Sequence, residues 1–168
     1  MTKDELLTLI ARFSQRPLPA LGGRHVYLWH GTLESLKGAI PAQVLTLLDL
    51  HRLAAALPRA PRASDEARRL LSRAIEEELD ERLAPDSQQI LVIAGCDLLC
   101  RYQVSINSFF QIASEKQIVI LVVSPAETRF QPSSPLPDYV TLDASAPFDY
   151  LLAAVGPEAT INAAEDIL

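Results

Sequence analysis

No stretch of this 168-residue chain approaches the ~18 consecutive apolar residues that a membrane-spanning helix needs, so no such span is expected. Cysteine is nearly missing as well: Cys96 and Cys100 are the only two. Their i,i+4 spacing brings two thiols near each other on a helix, but there is no second ligand pair for zinc, so the expectation is two buried, reduced cysteines. Positive charge is in deficit. A net charge of −6 makes the surface as a whole a poor match for nucleic acid. The start, Met1-Thr2-Lys3-Asp4-Glu5, is too acidic and polar for a secretory signal, which points to a cytoplasmic protein. Internal repeats and low-complexity tracts are lacking too. What remains is ample: 49% of the residues are hydrophobic, which argues against disorder, and the length suits one domain, residues 1–168, with a sizeable core.

Catalytic motifs are the next absence. The turn after the predicted strand His25–His30 reads Gly31-Thr32-Leu33-Glu34-Ser35-Leu36-Lys37-Gly38. A phosphate-binding loop needs glycines to bring backbone N–H groups around phosphate, a Lys for charge and a Ser/Thr on magnesium. Here there is one Gly at the turn and no GK[ST], Glu34 repels a polyphosphate, and Lys37 lies too far into the helix. Metal-assisted hydrolysis also needs a carboxylate at the tip of the strand Gln89–Gly95. The places for it are Ala94 and Gly95, and Asp97, beyond them, is expected to cap the next turn. His25, His30 and His51 are scattered around strand ends with no HxxxH or HExxH spacing, although His30 and Asp49 are candidates to converge. Ser35 and Ser124 sit in no G-x-S-x-G elbow. No catalytic residue, metal site or cofactor is therefore expected.

The pattern along the chain is that of alternating helices and strands. Thr2 caps a first helix to Arg12, with the N-terminal region 1–16 ending before a PLPALGG linker at Pro17–Gly23. His25–His30 reads as a strand and Leu33–Ala39 as a short helix. Val44–Leu50 reads as a second strand, with helix an open alternative over Leu45–Leu57. Ser64 is expected to cap a long helix reaching Pro85. Gln89–Gly95 and Ile118–Val123 are continuous apolar runs, so both faces of each must be covered, and a parallel sheet follows. Ser105–Ser114 is predicted helical between them, Tyr139–Leu142 a last strand and Pro147–Val155 a last helix, followed by a loosely held acidic tail, 156–168. The expected fold is an α/β three-layer sandwich around a mostly parallel sheet.

Charge is segregated along the long helix. Arg68, Arg69 and Arg73 lie near its start, and Glu76, Glu77, Glu78, Asp80 and Glu81 near its end, the reverse of what the helix dipole favours. A solvated helix face and a partner surface both fit this pattern. The loop with Phe130 and Tyr139 among prolines is a second candidate contact. Only the arginine cluster is basic, so nucleic acid ranks behind protein as a partner.

The order of elements resembles the core of P-loop NTPases of the AAA type, with His25–His30 as first strand, Ile90–Gly95 as Walker B strand and Ile118–Ser124 as sensor strand. The block ILVIAGCDLLCRYQVSINSFFQIASEKQIVILVVSP, more narrowly, is similar to small accessory proteins of bacterial BREX phage-resistance systems, of the BrxB-like and BrxF-like types. BrxF-like proteins carry a phosphate loop and acidic residues after the strand, so the comparison tilts to the BrxB-like type. The resemblance implies a degenerate P-loop core in an assembly component of an antiviral defence complex, and no catalytic residue carries over. The competing expectations are an atypical NTPase binding nucleotide around Gly31, Thr32 and Asp97, completed by a partner, and a regulatory module taking a small ligand at the carboxyl ends of the strands.

Overall fold

The computed structural model describes residues 1–16, 25–83, 87–113, 116–124, 136 and 145–163. Among these residues five strands, β1 (Val26–His30), β2 (Leu45–Asp49), β3 (Gln89–Ala94), β4 (Gln117–Val123) and β5 (Thr160–Asn162), form one sheet in the order β2-β3-β4-β1-β5. Every pairing is parallel. The helices are α1 (Lys3–Phe13), α2 (Leu33–Lys37), α3 (Leu50–Ala55), α4 (Ser64–Arg82), α5 (Asp97–Arg101), α6 (Asn107–Ile112) and α7 (Ala146–Val155).

The two apolar runs fall where their composition requires. β3 and β4 are neighbours, and all seven residues of β4 are buried. Strand alternation splits the core into two layers. Leu28, Leu91, Ile93, Val119 and Leu121 face α3 to α7. Trp29, Ile90, Val92, Ile118 and Ile120 face Leu6, Ile10 and Phe13 of α1 and Leu36 of α2. The result is α/β with helices on both sides of a wholly parallel sheet, as a three-layer sandwich requires.

Local chemistry explains most boundaries. Thr2 closes a full capping box with Glu5 at the start of α1. The two readings of Leu45–Leu57 are each right in part: the segment is strand to Asp49 and helix from Leu50, and Asp49 makes the junction by accepting from the His51 N–H at 3.0 Å. Ser64 is not the cap of α4. The N-cap is Ala63 with no side-chain bond, while Glu66 reaches back to the Arg62 N–H at 3.1 Å, so an acidic residue inside the helix takes up a donor ahead of it. The helix ends at Arg82, before the expected Pro85, which lies outside the described residues.

The expectation of a loose tail from Gly156 fails over residues 157–163. A 3-10 turn, Pro157–Ala159, leads into β5, which pairs with β1; Ile161 is fully buried, and the Ala163 N–H donates to the His30 carbonyl at 2.8 Å. Ile161 and Ala163, buried in the same core layer as Trp29, hold this short strand. The Pro17–Gly23 linker and the predicted strand Tyr139–Leu142 lie outside the described residues.

Candidate functional site

In an open α/β sheet, ligands sit at the carboxyl ends of strands where neighbouring connections leave on opposite faces. That place lies here between β1 and β4. β1 runs into α2 on the α1 side, and the next described helix after β4, α7, packs on the opposite side. The residues at its mouth are His30, Gly31, Thr32 and Ser124.

The Gly31–Thr32 turn is closed on itself. The Gly31 N–H donates to the Val123 carbonyl at 3.1 Å, which extends the β1–β4 ladder by one bond. A Cβ on Gly31 would stand 2.8 Å from Trp29 Nε1 and 3.0 Å from Ala163 Cβ, so the glycine is there to let the chain pass the indole. Trp29 Nε1–H donates to the Thr32 carbonyl at 3.1 Å, and Ser35 Oγ donates to the same oxygen at 2.9 Å. Thr32 Oγ1 accepts from the Ser35 N–H at 3.3 Å and so caps α2. The Thr32 hydroxyl thus serves as the helix cap through one of its two lone pairs, and no glycine-rich loop separates strand from helix.

Asp97 is placed elsewhere. It opens α5 on the α3–α7 side, while Gly31 abuts Trp29 and Ala163 on the α1–α2 side. Their strands, β1 and β3, flank β4 and so stand about 9.6 Å apart. Thr32 and Asp97 make no hydrogen bond to each other, and each is bonded to a residue on its own side of the sheet, Ser35 and His51 respectively. Nor does Asp97 cap the turn. The N-cap of α5 is Cys96, without a side-chain bond, and Asp97 Oδ1 lies 2.8 Å from His51 Nε2. The neighbouring loop leaves that position for it: Gly95 sits at φ +74°, and a Cβ there would be 2.8 Å from His51 Cδ2. The ring therefore rests on a bare backbone and is held by a carboxylate that is only 12% exposed.

The expected convergence of His30 and Asp49 does not occur, because β4 and β3 stand between their strands. His30 instead stacks on Phe148 of α7, with ring centroids 4.2 Å apart, and hydrogen-bonds Asn162 of β5. Burial lowers its pKa, and the Asn162 bond opposes this. His25 is likewise lowered by burial, with Nδ1 2.9 Å from the Tyr27 hydroxyl. No group of three or more His, Cys, Asp or Glu residues among those described is placed to hold a metal ion.

Both cysteines are free and buried. Burial pushes the Cys100 thiol up, Arg101 opposes this, and Asp97 and Asp149 add to it; its Sγ contacts the Ala146 carbonyl at 3.5 Å. That is a packed thiol, not an activated nucleophile. Sequence reasoning passed over Arg101, which is 7% exposed at the end of α5. A lone arginine between a cysteine and a tyrosine carries no local mark of burial.

The arginine cluster divides on inspection. Arg68 is half-buried and bonded to Asp65 at 2.8 Å, whereas Arg69 and Arg73 project outward from α4. Phe130 and Tyr139 lie outside the described residues; Leu136, between them, is buried in the α3–α7 core layer. Among the described residues no helix is long and apolar enough to cross a membrane. The chain matches no family model, no curated protein and no solved structure.

Proposed function

We propose that this chain is a non-catalytic cytoplasmic adaptor with a degenerate P-loop-like core, acting by protein–protein binding in a bacterial antiviral defence complex. The observation that carries the non-catalytic part is the closed turn at Gly31–Thr32, where the Gly31 N–H, the Thr32 hydroxyl oxygen and the Thr32 carbonyl all have internal partners. The end of β3 adds to it. Ala94 and Gly95 occupy the metal-holding places, Asp97 beyond them is bonded to His51, and Asp49, the register partner of Ala94 on β2, accepts from the His51 N–H.

The sheet order supports the P-loop-like comparison over the dinucleotide-binding and flavodoxin-like orders, 3-2-1-4-5-6 and 2-1-3-4-5. β4, compared with the sensor strand, lies between β1 and β3, compared with the phosphate-loop and Walker B strands. The defence assignment rests on the resemblance of the Ile90–Pro125 block to BREX accessory proteins. The contact surface we assign is the outward side of α4 around Arg69 and Arg73.

Titration with magnesium ATP and GTP tests the non-catalytic part. A ligand at ~100 times its dissociation constant stabilises by about 2.7 kcal/mol, which raises Tm by about 5–10 °C in a chain of this size. The expected result at millimolar nucleotide is no shift. A shift that disappears in Thr32→Ala would overturn the reading. Affinity capture from the native host tests the adaptor part: Arg69→Glu with Arg73→Glu is expected to lose the defence-complex partners that wild type retains, and capture of none by wild type would refute it.

A further inference from the structure

The outward stripe of α4 is self-complementary in charge. At about 100° per residue, Arg69, Arg73, Glu76 and Asp80 fall within an arc of about 60°. They lie opposite the buried Ala67, Leu71, Ile75 and Leu79, and all four are exposed. Neighbouring charges are already neutralised within the helix, Arg68 by Asp65 and Arg82 by Glu78. Arg73 reaches only Glu77, at 3.6 Å with both side chains at least 70% exposed, and Arg69, Glu76 and Asp80 have no ion-pair partner among the described residues. Two cations followed by two anions run against the helix macrodipole, although Asp65 and Glu66 in the first turn and Arg82 in the last complement it.

A twofold axis crossing α4 between Ala74 and Ile75 changes the account. It sets Arg69 of one copy opposite Asp80 of the second, and Arg73 opposite Glu76. Symmetry repeats both pairs, which gives four across about 16 Å of helix. The same operation lays the two helix dipoles head to tail. An acidic protein or a nucleic-acid backbone would meet the arginines but be repelled by Glu76 and Asp80. An occupant whose charge reverses along its length matches both halves, and α4 itself is one.

We infer that this stripe docks a second copy of the chain, α4 against α4 in antiparallel orientation, as a salt-sensitive homodimer. The inference rests on the reading that the protein works by protein binding through this face, for which a second copy and a defence partner then compete. Exposed ion pairs are individually weak and screened by salt, so the association is weak and governed by ionic strength.

Sedimentation velocity on the purified full chain is the test. Wild type is expected to associate at about 20 mM salt and to lose at least about tenfold in affinity by about 500 mM. Arg69→Glu with Arg73→Glu, and separately Glu76→Arg with Asp80→Arg, each make the stripe single-signed and are expected to stay monomeric. Mixed in equal amounts, these two variants are expected to form a heterodimer, which also shows that both still fold. A wild type monomeric at every salt concentration would overturn the inference, as would association that survives Arg69→Glu with Arg73→Glu, or a mixture that stays monomeric. A monomer that retards duplex DNA through Arg69 and Arg73 would replace it with nucleic-acid binding. Capture of a defence partner by a monomeric wild type would remove the homodimer and leave the adaptor reading standing.

Discussion

Gly95→Ala isolates the packing of the β3–α5 corner. Gly95 has φ +74°, and an alanine there would place Cβ 2.8 Å from His51 Cδ2, 3.1 Å from the His51 backbone nitrogen and 3.3 Å from Leu50 Cβ. The left-handed backbone alone costs an L residue about 1–2 kcal/mol. Crowding adds about 1–3 kcal/mol, as in an overpacked core. The ring cannot simply swing aside, because Asp97 holds Nε2 at 2.8 Å, and one of the three close neighbours is backbone. The stiffer unfolded chain returns about 0.4–1 kcal/mol. The net expectation is a loss of about 1–4.5 kcal/mol, or about 2–18 °C in Tm.

Urea unfolding followed by circular dichroism measures this, and a double-mutant cycle separates the two causes. His51→Ala removes the Cδ2 contact but leaves the strained backbone, so it should recover about 1 kcal/mol in the Gly95→Ala background. Gly156→Ala serves as the control. Its φ is +96°, but nothing lies within 4 Å of the added Cβ, so strain acts there without crowding and His51→Ala should be additive with it. Gly95→Ala within about 0.5 kcal/mol of wild type, or additive with His51→Ala, would refute the reasoning.

Ile161→Ala removes a fully buried side chain from β5 and should cost about 2–4 kcal/mol in urea unfolding; a change below about 0.5 kcal/mol would mean that the segment carries no part of the core. His30 has a folded pKa below its ordinary 6.5 because of burial, so the unfolded chain takes up its proton first. The stability that neutral His30 contributes is therefore full above about pH 6.5 and declines as pH falls toward the lower folded value. Thermal melts from pH 8 to pH 5 should show Tm falling more steeply in wild type than in His30→Asn, and equal slopes would count against the assignment.

The sheet was legible in the sequence because its central strands are buried on both faces. QILVIA and QIVILVV admit no solvated side, so their pairing in a parallel sheet followed from composition alone. β5 was not legible. Three residues carrying one apolar side chain, in an acidic segment, give no period to read. Nor was the contact of His51 with Asp97, since the two are 46 positions apart and meet only because β2 and β3 are neighbours. The strand order decided the rest: with β4 and β3 between them, His30 and Asp49 are too far apart to meet, although both end strands at the same edge of the sheet.

That edge also explains why binding is assigned to helix faces. A phosphate that drew on the Gly31 N–H or displaced Thr32 would break the Gly31–Val123 bond, the Thr32 cap on α2 or the Trp29–Thr32 bond. Each is worth about 0.5–1.5 kcal/mol net, and a donor or acceptor left dry costs about 1–3 kcal/mol more. Trp29 is fully buried, so its N–H has no water to turn to once Thr32 moves. A ligand that enters this way must therefore replace what it breaks before it gains anything. An exposed strip such as that of α4 has no such debt: its long charged side chains are hydrated and lose only rotamer freedom on contact. The same chemistry that closes the sheet's edge thus leaves α4 as the surface on which association meets the least resistance.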